Sequence, residues 1–317
     1  MSERDDRLSE ASERLAEAVA AITTGDDWAA MLRVASRLHH YSASNIFLIA
    51  LAKPEATMVG GFNTWKVLGR HVRTGEKGIP ILAPILRRAS LTNRGHDWID
   101  PEDDIPATAL VGYKQVFVFD LSQTEGKPLP DLAPRLLEGG GPTGAFEALA
   151  AHIGDAGFRV ERAPLAPANG KTDYATATVT VADRLSDAAA VKTLAHEAGH
   201  VALHGPGAPA GLSRAMAEVE AESVAFVICA ELGLHSDDYS FPYVAHWSGG
   251  DPGAVRQAAE RALGAARGIL ETIAPAGPEP GAAARAILAT PVPTADLATP
   301  SGPRVASASP ARAGRGR

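Results

Sequence analysis

The stretch His196-Glu-Ala-Gly-His200 constrains this chain more than any other. In an α-helix each residue advances about 1.5 Å and 100°, so His196 and His200 stand one turn apart on one face. Both imidazoles can then reach one metal ion, as the first two ligands of a tetrahedral zinc site must. Glu197 lies beside them, placed to act as general base on a water whose pKa the metal lowers. The motif points to zinc-dependent hydrolysis of an amide bond. Its surroundings read as helix from Leu185 to His204. Ser186 is an N-cap, alanines fill the first turns and Gly205-Pro206 stops the run. Gly199 costs about 1 kcal/mol inside a helix, so it predicts close backbone packing beside the site.

A zinc site of this kind needs a third protein ligand. His204 continues the histidine face but lies too far from His196 to share one ion on a straight helix. Residues 217–234 read as a second helix ending at Gly233. On it Glu218, Ala221, Glu222, Ala225 and Cys229 share a face, and Glu220 points away. Glu218 can complete a His, His, Glu set. Glu222, one turn on, can accept the second N–H of a ligand histidine and fix its orientation. The alternative is that both are solvated carboxylates.

The front of the chain carries an independent signal. Between Arg33 and Arg94, ten Lys and Arg residues stand against two carboxylates, Glu55 and Glu76, in a chain whose net charge is −7. Such asymmetry predicts an anionic partner. Tyr41, Phe62 and Trp65 are interleaved with these charges, and Lys66, Arg70, Arg73 and Lys77 form a basic segment beside Trp65. Cations that track phosphates and rings that stack on bases are what a single nucleic-acid strand requires. The alternative is a basic surface over a core in which Phe62 and Trp65 are buried.

Several motifs resemble known families. His-Glu-Ala-Gly-His followed by Glu218-Val-Glu-Ala-Glu222-Ser-Val-Ala225 is similar to the zincin-like metallopeptidases of the ImmA/IrrE and ArdC type. In that group the glutamate opening the second helix is the third zinc ligand. The resemblance implies His196, His200 and Glu218 as Zn2+ ligands and Glu197 as the catalytic base. The ImmA/IrrE pattern usually has Asn where this chain has Glu222. Tyr41-Ser-x-x-Asn45, Gly61-Phe-x-Thr-Trp65, Val72-Arg-Thr-Gly-Glu-Lys-Gly78 and Val118-Phe-Asp-Leu-Ser-Gln-Thr-Glu-Gly126 resemble the N-terminal domain of ArdC-type antirestriction proteins. That family joins a single-stranded-DNA-binding domain to a zincin-like domain, an α+β fold. It implies single-stranded DNA as partner, an unidentified protein or peptide substrate, and a role in protecting incoming DNA from restriction or in processing a regulator. The candidate DNA contacts are Tyr41, Asn45, Phe62, Trp65, Lys66, Arg70, Arg73 and Lys77.

With 317 residues the chain can build two compact domains. The expected division is 1–130 for the ArdC-like domain, 131–144 for a linker rich in Pro and Gly, 145–273 for the zincin-like domain and 274–317 for a disordered tail. Two helices are expected in 1–52 around a break at Thr24–Asp27, and mixed short helices and strands in 59–120. A helix near 145–156, strands at 158–161 and 174–181, and a last helix at 252–273 follow. The acidic stretch 97–104 reads as a loop turned away from phosphates. Tyr239, Tyr243 and His246 are candidate oxyanion donors, none preferred. Cys229 is the single cysteine, which excludes an intramolecular disulfide. The start lacks a signal peptide, and the apolar run Ile46–Ala52 is too short to span a bilayer. These features predict a cytoplasmic protein with no membrane partner. Two rival readings keep the same motifs: a DNA-binding protein with a structural zinc and no proteolysis, and a regulatory peptidase whose basic region binds a protein.

Overall fold

The structure, a computed structural model, describes residues 3–88, 108–129, 144–209, 211–234 and 241–273. Three helices open the chain: α1 (Glu3–Ala20), α2 (Gly25–Arg37) and α3 (Ala43–Ala52). Thr24 caps α2 through a reciprocal box with Asp27, and the Ser42 hydroxyl accepts from the Asn45 N–H to start α3. The sequence predicts two helices here. The second break, at His39–Ser42, has no Gly or Pro to mark it; the chain turns there because Ser42 caps a new helix. α3 is apolar around most of its circumference, and Ile46, Phe47, Leu48 and Ile49 are all buried. A helix of that kind must be covered on several sides. It packs against α1, α2, a sheet strand and the helix at 252–273.

Next come β1 (Val59–Gly61), α4 (Phe62–Val67), β2 (Arg70–Val72), β3 (Ile79–Arg88), β4 (Thr108–Asp120) and β5 (Thr124–Gly126). One antiparallel sheet has the order β1-β4-β3, and β2 pairs with β5 in a separate antiparallel ribbon. Successive side chains of a strand point to opposite faces. Ile79, Ile81, Ala83, Val116 and Val118 are buried on the inner face, while Tyr113 and Phe117 stand exposed on the outer one.

The remainder comprises α5 (Ala145–Asp155), β6 (Arg159–Ala163), β7 (Gly170–Asp173), β8 (Thr178–Ala182), α6 (Asp187–Leu203), α7 (Arg214–Glu231), α8 (Val244–Ser248) and α9 (Pro252–Ile273). The sheet order is β6-β8-β7, with β6 and β8 parallel and β7 antiparallel to β8. The expected strand at 174–181 is shorter than its alternation predicts. Tyr174–Ala177 turn instead, with Ala177 at φ 47°, and β7 and β8 form a hairpin. This hairpin lies against α6, which also packs on α5, α7 and α9.

One apolar cluster extends from Ala18 to Leu270, so the expected boundary between 1–130 and 145–273 is not a boundary of the core. Trp28 of α2 is fully buried, donates from Nε1 to Ser223 Oγ of α7 at 2.9 Å, and meets Trp247 edge-on at 5.1 Å between ring centroids. Arg267 of α9 donates to the carbonyls of His39 at 2.8 Å and Tyr41 at 2.6 Å. The acidic stretch 97–104, residues 131–143 of the expected linker, the expected tail and Tyr239 lie outside the described residues. Among the described residues, no helix is long and apolar enough to cross a membrane.

Candidate metal centre

α6 presents His196 and His200 one turn apart, and their Nε2 atoms lie 3.1 Å from each other. α7 begins at the N-cap Ser213 and brings Glu218 over the same point. Its Oε2 is 3.4 Å from His196 Nε2 and 3.6 Å from His200 Nε2. Two ligand atoms of a tetrahedral ion at metal–ligand distances near 2.0–2.1 Å are about 3.3 Å apart. The three donor atoms therefore form a triangle of the right size for one ion. Among the described residues this is the group of His, Cys, Asp and Glu side chains that can hold a metal.

The two helices approach closely because Gly199 faces α7. A Cβ at that position would lie 2.9 Å from Ala221 Cα and 3.2 Å from Val224 Cβ. The close packing expected from Gly199 is found, and it sets the distance between the histidines and Glu218.

Each histidine is held by its other nitrogen. His196 Nδ1 is 2.8 Å from Glu222 Oε2, the contact that the sequence assigns to Glu222. His200 Nδ1 is 2.9 Å from His204 Nδ1, and His204 Nε2 is 2.9 Å from Glu220 Oε2. Glu220 does point away from the metal triangle, but it is not solvated. It is 1% exposed and receives Arg261 Nη2 at 2.7 Å. Sequence reasoning misses this residue, because a buried carboxylate looks like a surface glutamate until its cationic partner on another helix is found.

Charge around the triangle is uneven. Burial lowers the pKa of His196, but Glu218 and Glu222 outweigh it and hold it up at about 9. Burial, with His196 and His204 nearby, depresses His200 to about 4. The His196 hydrogen bond draws the Glu218 carboxyl down to about 2. The position between the carboxylates thus favours positive charge.

Glu197 is buried, and burial raises its pKa above the ordinary carboxyl value. Thr172 Oγ1 of β7 donates to Glu197 Oε2 at 2.7 Å. Gly170, also on β7, leaves the room its side chain needs: a Cβ there would come within 2.5 Å of Glu197 Oε1. Tyr174 donates to the His200 carbonyl at 2.9 Å. The sequence signal for Gly170 and Thr172 is weak, since a four-residue strand has too few positions to show alternation.

The expected nucleic-acid residues divide. Trp65 is 0% exposed and donates from Nε1 to the Phe119 carbonyl at 3.0 Å, so its ring has no free face for a base. Asn45 is buried and brackets Leu82, donating to its carbonyl at 3.0 Å and accepting from its N–H at 2.9 Å. Tyr41 is half-buried and donates to the Val59 carbonyl. Arg70 is occupied by Thr124 and by the Lys127 carbonyl, and Arg73 by Glu76. The side chains of Trp65 and Asn45 thus build the fold, and for Trp65 this is the buried alternative. Phe62, Lys66 and Lys77 are exposed, with Lys66 Nζ 4.8 Å over the Phe62 ring. Phe62 meets Phe119 at 6.4 Å, and Phe117 and Tyr113 continue this row along the outer face of β4, at 48% and 46% exposure. A shallow cleft of about 370 Å³ beside Phe117 is lined by Glu10, Arg14, Lys77 and Gln115. A second cleft, lined by Glu10, Arg14, Leu48, Leu51 and Pro80, adjoins it. Tyr113 and Phe117 are the residues that sequence reasoning misses on this side. Two exposed rings spaced at four along a long strand are their only signal.

Residues 5–117 match the family described as the N-terminal domain of anti-restriction factor ArdC. This segment is similar to an ArdC-type N-terminal domain. Similarity extends further at a lower level. An uncharacterized protein of Bacillus anthracis is 24% identical over 267 residues, which cover 70% of this chain and 43% of that protein. The chain thus spans less than half the length of that relative. Crystal structures of the antirestriction ArdC protein from the R388 plasmid, one metal-free and one Mn(II)-bound, are 24% and 23% identical. They cover 74% and 75% of this chain and 85% and 86% of theirs, with TM-scores of 0.48 and 0.46. The matched segment includes Phe62, Tyr113 and Phe117 of the aromatic row, and Phe119 and the metal triangle lie beyond it.

Proposed function

We propose that the protein binds single-stranded DNA through its ArdC-type region and hydrolyses a peptide bond at a zinc centre made by His196, His200 and Glu218. The observation that carries the metal half is the triangle of donor atoms at 3.1, 3.4 and 3.6 Å, with Glu197 following the first ligand. A divalent metal, when bound, polarises a carbonyl and acidifies a water. Glu197 would act beside it as the proton acceptor. Its raised pKa brings it nearer to the operating pH, as a general base requires. Thr172 holds one oxygen of the Glu197 carboxylate and leaves the other for the proton. Glu222 orients His196.

The DNA half is supported by the row Tyr113, Phe117, Phe119 and Phe62, with Lys66 and Lys77 at its border. Aromatic faces that stack on bases beside cations that meet phosphates make a sequence-tolerant platform for a single strand. The ArdC match supports an antirestriction role, in which the protein would act beside incoming DNA. Binding of labelled oligonucleotides at several salt concentrations tests this half. On single strands the affinity should fall with a log–log slope of about −0.7 per phosphate contact. A slope near zero removes nucleic acid from the reading. Zinc content and peptide hydrolysis, measured with Glu197→Gln alongside, test the other half. Because a solved ArdC protein binds Mn(II), manganese belongs in the same titration.

A further inference from the structure

The two candidate metal-binding histidines are held in different ways. His196 meets a carboxylate directly, through Nδ1 and Glu222. His200 instead meets a third imidazole. His200 Nδ1 is 2.9 Å from His204 Nδ1, His204 Nε2 is 2.9 Å from Glu220 Oε2, and Glu220 Oε2 is 2.7 Å from Arg261 Nη2. The three links join the end of α6 to α7 and α9. The His204 and Glu220 side chains are 8% and 1% exposed, so water does not compete for these bonds.

The direction of every bond in this chain is set from its far end. Guanidinium has donors only, so Arg261 requires Glu220 to accept. Glu220 then accepts from His204 Nε2–H as well. That leaves the lone pair of His204 on Nδ1, facing His200. The proton between the two Nδ1 atoms must therefore belong to His200. With its proton on Nδ1, His200 keeps the lone pair of Nε2 free, and Nε2 is the atom that faces His196 Nε2 and Glu218 Oε2.

We propose that His204, Glu220 and Arg261 form a positioning relay that fixes the tautomer and ring orientation of His200 for metal binding. The inference rests on the reading of His196, His200 and Glu218 as a metal site, and assigns His204 a role that neither the motif nor the ligand set contains. None of the three belongs to the triangle of candidate ligands. The bonds partnering a ligand histidine typically contribute about 10- to 100-fold in metal affinity when removed.

The test compares wild type with His204→Leu and His204→Gln in the full chain. Zn(II) affinity is read by competition with a chromophoric chelator, the Co(II) derivative by its visible spectrum, and the fold by thermal melting. The glutamine amide offers an acceptor and a donor at nearly the spacing of the two imidazole nitrogens; leucine fills the space and offers neither. The expected result is a loss of about 10- to 100-fold in Zn(II) affinity for His204→Leu with an altered Co(II) spectrum, and recovery of most of both in His204→Gln. If His204→Leu does not fold, the longer and more adaptable His204→Met takes its place. Wild-type affinity and spectrum in a folded apolar variant would overturn the relay and leave the metal site standing. An equal loss in the apolar and glutamine variants would also overturn it, because hydrogen bonding would not be the cause. A wild-type chain that takes up neither Zn(II) nor Co(II) would overturn the metal site, and the relay with it.

Discussion

Trp65 and Phe117 are separated by burial, and burial assigns them opposite roles. Trp65→Ala removes a fully buried indole and should cost about 3–5 kcal/mol of stability, with DNA affinity falling only as far as the fold does. Phe117→Ala removes a half-exposed ring and should leave the melt nearly unchanged while weakening single-strand binding by about 1–3 kcal/mol. Oligonucleotide titrations beside thermal melts check both. Equal DNA effects at equal stability would remove the β4 face from the account. Asp120 offers a pH-dependent prediction. Burial opposes its charge, but hydrogen bonds from Ser122, Thr57 and Met58 outweigh burial and lower its pKa. A lowered folded-state pKa means that the carboxylate contributes stability above its unfolded value, near 3.9, and loses it as pH falls through the folded value. Denaturant melts should show Asp120→Asn destabilised by about 1–3 kcal/mol at neutral pH, with the difference from wild type shrinking under acid. At this scale the candidate metal ligands are legible in the sequence because helical spacing alone brings His196 and His200 together. The burial of Trp65 and the partner of Glu220 are not, since each depends on an element distant in the chain.

α6 and α7 are the elements that make the site, and Gly199 sets their separation. Gly199→Ala would place a methyl 2.9 Å from Ala221 Cα, on backbone that cannot yield without moving α7. Glu218 lies on the same helix as Ala221. The substitution should therefore weaken Zn(II) binding while both histidines remain, and lower stability by about 1–3 kcal/mol. Equilibrium dialysis with Zn(II) and a melt read the two effects; unchanged affinity would mean that α7 tolerates the shift. Both helices are legible in part: Ser186 and Gly205-Pro206 bound α6, and Gly233 ends α7, whose start after Ser213 precedes the expected 217. The β7–β8 hairpin is less so. The alternation of Tyr174–Val181 imitates one long strand, and the turn at Tyr174–Ala177 is imposed by pairing with Gly170–Asp173.

The continuous core determines how the whole molecule should respond to cutting. α2 packs on α7, α3 and α1 pack on α9, and Trp28 bonds to Ser223 across that junction. A chain beginning near Gly144 would expose the apolar surface that these helices cover. It should therefore melt at lower temperature and aggregate more readily than the intact protein, and adding residues 1–130 in trans should restore part of the difference. An isolated fragment as stable as the whole would show that the shared core contributes little. The motifs make the order of the two regions legible along the chain. They do not show that the two regions share an interior, because contacts between distant segments leave no local pattern. The central claim is that His196, His200 and Glu218 hold the metal and Glu197 acts beside it. Zinc content per purified chain tests it most directly. Wild type and Glu197→Gln should each carry about one zinc, His196→Ala and His200→Ala none, and Glu218→Ala much less than wild type. Loss of zinc in Glu197→Gln with retention in His200→Ala, or no zinc in wild type, would contradict the account.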